Sequence, residues 1–171
     1  MTNSLKTVFF ILGLPMLLAA SSCSNHQPEC TTIYLVRHAE KDLTDSTDNP
    51  PLTIEGEARA QKLVKELSWV SFDGIFSTNL QRTMNTVLPI ANKQDIQVVN
   101  YPYYQWQTML DSLKITYQKY YLIGGHGDIL LPMIEYLGAK KPQEELGANE
   151  YDKIFKVSIS IDSSWVEVLL F

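Results

Sequence analysis

The sequence predicts an α/β fold of three layers, a mostly parallel central sheet with helices on both faces. Two observations predict it. Short runs rich in β-branched and aromatic residues alternate with longer segments of helical periodicity, the pattern of successive strand–helix–strand units. The composition is that of a globular chain, with 45% apolar and 19% charged residues among 171. A formal net charge of −5 excludes nucleic acid as the main partner, because a phosphate backbone needs a basic footprint. Two cysteines are too few for a disulfide framework or a cysteine-based metal site.

Residues 1–22 read as an export signal that stands outside the fold. Lys6 precedes an apolar run of 13 residues, 8–20, against the roughly 20 that a spanning helix needs. Small residues then lead into Cys23. The pattern resembles a bacterial lipoprotein signal, with Ala20 where a leucine is usual. It implies an exported protein of the bacterial cell envelope, lipid-anchored at Cys23 and touching the membrane through that anchor only. Residues 23–31 are polar and contain Pro28, which suits a linker. Cys30 reads as an inert thiol in that tether. The domain is expected over 32–171.

Within it, residues 32–36 read as a buried strand. A polar loop follows, and Thr53 is placed to cap a helix whose apolar positions include Ile54, Leu63 and Leu67. Residues 72–77 read as the second strand. The next helix carries Leu80, Met84, Val87 and Ala91, with a kink expected at Pro89. Residues 96–101 read as a third strand, 106–119 as a helix and 120–124 as a fourth strand. A helix over 129–137 has Pro132 in its first turn and Gly138 as its stop. Strands around 154–161 and 165–170 close the chain.

Sheets of this class bind ligands beyond the carboxyl ends of their strands. The first strand runs into Arg37 and His38, the second leads to Arg82, and the fourth runs into His126. Two arginines and two histidines therefore meet at one sheet edge. Guanidinium forks that cannot be deprotonated suit a phosphate dianion. A neutral imidazole is a competent nucleophile towards phosphorus, and a second imidazole can hydrogen-bond the transferring oxygens. No metal or cofactor is called for, since His38 and His126 stand 88 residues apart without metal-ligand spacing.

These blocks resemble the histidine phosphatase superfamily, also called phosphoglycerate-mutase-like. The segment 32–41 around Arg37-His38-Ala39-Glu40 is similar to its signature. Leu52-Thr53 with Gly56, Ser77 with Arg82 and Thr86, and Gly125-His126 are similar to its later blocks, in the right order. The resemblance implies that His38 is the phosphorylated nucleophile, with Arg37, Arg82 and His126 as the phosphate pocket. The stretch between Arg82 and His126 is short and has Tyr101–Trp106 where many relatives carry a general-acid glutamate. This is closer to the small phosphohistidine-phosphatase branch. Gly127 and Asp128 stand where many relatives have serine and asparagine.

The implied activity is metal-independent hydrolysis of phosphomonoesters or phosphoramidates, on small phosphorylated substrates or a phosphorylated protein. The alternative is a non-catalytic lipoprotein that only binds or senses an anion. Glu40, Gly127 and Asp128 are candidate substrate-binding residues. Glu40 either orients a pocket arginine or faces solvent. Asp128 either caps the helix at Ile129, the preferred reading, or acts as general acid. The 101–106 aromatics either pack in the core or wall the substrate.

Overall fold

The computed structural model describes residues 30–171. The signal segment 1–22, Cys23, and all but the last two residues of the expected linker lie outside the described residues. The elements are β1 (Thr31–Arg37), α1 (Ile54–Glu66), β2 (Gly74–Ser77), α2 (Gln81–Gln94), β3 (Val98–Asn100), a 3-10 turn (Tyr103–Gln105), α3 (Trp106–Lys114), β4 (Tyr120–Gly125), α4 (Gly127–Tyr136), β5 (Lys153–Ile159) and β6 (Ser164–Leu170). The six strands form one sheet in the order β3-β2-β4-β1-β5-β6. The first four in this order run parallel, while β5 is antiparallel to β1 and to β6.

Alternation along the strands divides the core in two. Ile33, Leu35, Ile123, Phe155 and Val157 face α3 and α4, packing on Leu110, Leu130, Met133 and Ile134. Tyr34, Val36, Ile75, Leu122 and Ile154 face α1 and α2, packing on Leu63, Val87 and Ile90. Burying each such side chain stabilises the fold by about 1.5–3 kcal/mol. This is the three-layer arrangement expected.

Several boundaries move, each for a local reason. Strand β1 starts at Thr31, inside the expected linker, where the Thr31 hydroxyl donates to the Thr116 carbonyl at 2.6 Å. Strand β2 starts at Gly74, because the Phe72 amide donates to the Gln94 side chain at 2.9 Å instead of to a neighbouring strand. Helix α3 ends at Lys114. Beyond it, the Thr116 hydroxyl bonds the Leu113 carbonyl at 2.6 Å, and Gln118 turns the chain with φ 54. Helix α2 runs unbroken past Pro89.

Helix α4 begins two residues before the expected start, with His126 as its N-cap residue, so Pro132 falls in its second turn. Gly138 does end it. With φ 86 it adopts the left-handed conformation that glycine tolerates. The Gly138 and Ala139 amides then bond the carbonyls of Glu135 and Ile134 at 2.9 and 3.1 Å.

One close approach fixes the loop after β1. The Glu40 carbonyl accepts from the Thr53 amide at 2.9 Å, and the Thr53 hydroxyl caps α1 by accepting from the Gly56 amide at 3.1 Å. A Cβ on Gly56 would lie 2.3 Å from the Glu40 carbonyl oxygen. The obstacle is backbone, so it cannot rotate away. Gly56→Ala is expected to lower stability by about 1–3 kcal/mol or more, the range for overpacking. An unchanged midpoint in urea unfolding would show that the loop yields freely.

Candidate active site

Three neighbouring parallel strands end together and deliver the site. Strand β1 ends at Arg37 with His38 next, β4 ends at Gly125 with His126 next, and β2 ends at Ser77 before Thr78 and α2. The sheet order places β2, β4 and β1 side by side, so residues far apart in sequence become neighbours. The His38 and His126 ring centroids are 5.4 Å apart, and both residues are buried, 6% and 7% exposed.

His38 has a defined tautomer. Its Nδ1 lies 2.7 Å from the Ala39 carbonyl oxygen, which only accepts, so Nδ1 carries the proton and Nε2 the lone pair. The Ala39 amide donates to the Thr86 hydroxyl at 2.9 Å, and that hydroxyl donates to the Arg82 carbonyl at 2.7 Å. The turn that carries His38 is thereby tied to the helix that bears Arg82. His126 Nε2 lies 3.0 Å from the buried Thr78 hydroxyl.

Burial pushes the pKa of both rings down to about 4. For His38 the Ala39 bond opposes the shift, and His126, Arg82 and Arg37 add to it. For His126 the Arg82 charge adds to burial while Asp128 opposes it. Both histidines are therefore neutral at pH 7.

The arginines hold unused donors. Arg37 Nη1 donates to the Gly147 carbonyl at 2.9 Å, and the guanidinium lies 4.5 Å from the Tyr151 ring centroid, a cation–π distance. Its Nε is buried without a partner, as are Nε and Nη1 of Arg82. A buried donor left unpaired costs about 1–3 kcal/mol, and an oxyanion would satisfy such donors with charge-assisted bonds. A cavity of about 520 Å³ opens here, lined in part by Arg37, His38, His126, Gly127 and Asp128. A Cβ on Gly127 would sit 3.4 Å from the Arg37 guanidinium carbon, so the bare backbone leaves that group open. Arg82 does not line this cavity, but its charge is near enough to disfavour protonation of both rings.

Two expectations need correction. Asp128 does not cap α4: the helix starts at Gly127, which puts Asp128 in its first turn. Its carboxylate instead accepts a short hydrogen bond from the Tyr103 hydroxyl at the cavity wall. That bond, with burial, pushes the Tyr103 pKa up to about 12. Glu40 neither holds a pocket arginine nor stands free in solvent. It takes three hydrogen bonds of 2.6–2.9 Å from Arg59 of α1.

The aromatics divide between the two readings. Tyr101 is buried and donates to the Gly124 carbonyl at 2.9 Å, whereas the Tyr103 ring packs 5.4 Å from that of His126. Cys30 is half-buried beside a separate cavity with Tyr34 and Trp69. Thr78, Arg59 and Tyr151 were not singled out by sequence reading. Isolated threonines, tyrosines and arginines carry no spacing signal for such roles.

Because both imidazoles have depressed pKa values, the fold favours their neutral forms. That contribution is present in full above pH 6.5 and is lost as pH falls from 6.5 towards 4, on the order of 3 kcal/mol for each ring. NMR titration of the rings is expected to give midpoints near 4. Midpoints near 6.5 would mean that water solvates the pocket freely.

The sequence matches the profile of the histidine phosphatase superfamily (branch 1) over residues 33–103. No curated protein sequence matches the chain. Among solved structures, a putative α-ribazole-5′-P phosphatase from Escherichia coli superposes with a TM-score of 0.65 at 16% identity, covering 82% of this chain and 96% of that one. The protein histidine phosphatase SixA in complex with tungstate gives 0.66 at 14% identity, over 81% and 96%. A phosphoglycerate mutase from Bacillus anthracis gives 0.60 at 15% identity, over 83% and 93%. Residues 33–103, which include the strand ends at the pocket, thus resemble the histidine phosphatase superfamily, and the described chain shares the fold of these phosphoglycerate-mutase-like structures.

Proposed function

We propose that the protein is a phosphatase that works through a phosphohistidine on His38. The family match and the shared fold support phosphatase activity in general. The observation that carries the finer reading is the His38 ring itself: neutral, buried, and fixed by the Ala39 carbonyl with its Nε2 lone pair free. Beside it stand guanidinium donors that lack partners.

In the first step Nε2 attacks phosphorus while the bond to the leaving oxygen or nitrogen breaks; the leaving atom takes its proton from the substrate phosphate monoanion or from solvent, and the ring carries the phosphoryl group with Nδ1 still protonated. Arg37, Arg82 and His126 hold the phosphoryl oxygens, where charge-assisted bonds act strongly because water is displaced. In the second step water attacks phosphorus, the P–N bond breaks, and orthophosphate leaves with neutral His38 restored. Asp128 accepts a hydrogen bond from the Tyr103 hydroxyl, so its carboxylate acts here as an acceptor and not as the acid. A phosphoramidate needs little help at that point, since its leaving nitrogen takes up a proton readily.

His38→Ala is expected to abolish turnover of p-nitrophenyl phosphate, and trapped phosphoenzyme should be acid-labile and alkali-stable, as a phosphoramidate is. Full activity in that variant would overturn the mechanism. Binding of vanadate by the wild type without any turnover would instead favour an anion-binding protein.

The export reading is part of the same proposal. The Cys23 pattern supports a lipid anchor, and the described domain begins at the amino end of β1, whose other end meets the pocket. A tether there leaves the cavity open. Radiolabelled palmitate fed to a lipoprotein-processing bacterium should enter the wild type and be absent from Cys23→Ser. An unlabelled, freely secreted wild type would argue for simple export.

A further inference from the structure

The cavity beside His38 has two electrical halves. At the phosphate end stand Arg37 and the two neutral imidazoles, with the Arg82 and Lys41 charges near enough to act on His126. The rest of the wall is acidic. Asp128 and Glu135 come from α4, and Glu144 and Glu145 come from the loop between α4 and β5. Lys141 is the one basic residue lining that half, and it is engaged, 2.9 Å from Glu144 and 3.9 Å from Glu135. Four carboxylates thus face one lysine.

These carboxylates are solvent-exposed, but they come from two elements, α4 and the loop after it. The loop that carries Glu144 and Glu145 is bound to the site, because its Gly147 carbonyl accepts from Arg37 Nη1 at 2.9 Å and Tyr151 stacks on the same guanidinium. Within it the Glu150 carboxylate accepts from the Gly147 amide at 2.8 Å and pairs with Lys153 at 2.8 Å. Glu145 has no ionic partner among the described residues. Between the acidic groups and the histidines, Leu131, Pro132 and Leu146 supply an apolar stretch of wall.

A phosphate ester with its phosphorus at His38 must lay its leaving group along this wall. A carboxylate on that leaving group would meet like charges, and a cation would meet opposite ones. We infer that the substrates are small phosphate esters whose leaving group carries a positive charge, the short aminoalkyl phosphates. The inference rests on the phosphatase reading of the same cavity, and it names which substrates that cavity selects.

Three matched phosphates test it: 2-aminoethyl, n-propyl and carboxymethyl phosphate. Each competes with p-nitrophenyl phosphate at low ionic strength, using the full chain. The inhibition constants are expected to rank aminoethyl tightest and carboxymethyl weakest, with about tenfold or more between these ends. Added salt should compress the range, because the carboxylates are solvent-facing. Combining Glu135→Gln, Glu144→Gln and Glu145→Gln should bring the three constants to within about twofold or threefold of one another. Equal constants in the wild type, or the reverse order, would overturn the inference while leaving the phosphatase intact. If p-nitrophenyl phosphate is not hydrolysed, the phosphatase reading has failed by itself. Calorimetric titration with the same three phosphates then decides the charge preference, since binding needs no turnover.

Discussion

The site depends on one hydrogen bond, from His38 Nδ1 to the carbonyl of the next residue. A buried imidazole without it would be free to take either tautomer or to turn its ring. With it, the lone pair of Nε2 has one direction. The carbonyl can do this only because Ala39 is itself held, its amide on the Thr86 hydroxyl and Thr86 on the backbone of Arg82. One threonine on α2 therefore sets the His38 turn and Arg82 relative to each other. Glu40 continues the chain of constraint, its carbonyl on the Thr53 amide and its carboxylate on Arg59. The loop after β1 is clamped by two helices, and His38 inherits their rigidity.

Much of this was legible in the sequence, because strand periodicity and strand-end residues obey short-range rules. The apolar run before Arg37 reads as a buried strand, and the strands of the following strand–helix–strand units run parallel in its sheet, so the meeting of Arg37, His38 and His126 at one cavity, with the Arg82 charge nearby, followed from topology. What was not legible depends on contacts across long separations. Asp128 directly precedes Ile129 and looks like a cap, yet the helix starts at Gly127 and the carboxylate turns to Tyr103, 25 residues away. Glu40 finds Arg59 on α1, a pairing that only the Gly56 approach makes possible. The loop before β5 has neither periodicity nor motif, and its Gly147 and Tyr151 were invisible until the fold brought them onto Arg37.

The boundaries that moved share one cause. Side chains competed with backbone for hydrogen bonds: Gln94 for the Phe72 amide, Thr116 for the Leu113 carbonyl, Thr31 for the Thr116 carbonyl. Propensity speaks about the backbone alone, so it misses such ends, β2 by two residues, α3 by five and β1 by one.

The unpartnered guanidinium donors have a thermodynamic corollary. They lie buried in the fold beside two imidazoles whose charged forms burial disfavours. An oxyanion bound by the proposed site would satisfy such donors in the folded state alone, and mass action would then raise the melting temperature with its concentration. Orthophosphate, the proposed product, would then both occupy the pocket and reinforce the fold, so product inhibition and thermal protection would come from the same contacts. The resistance of such a protein to heat or proteolysis would track the phosphate content of its surroundings.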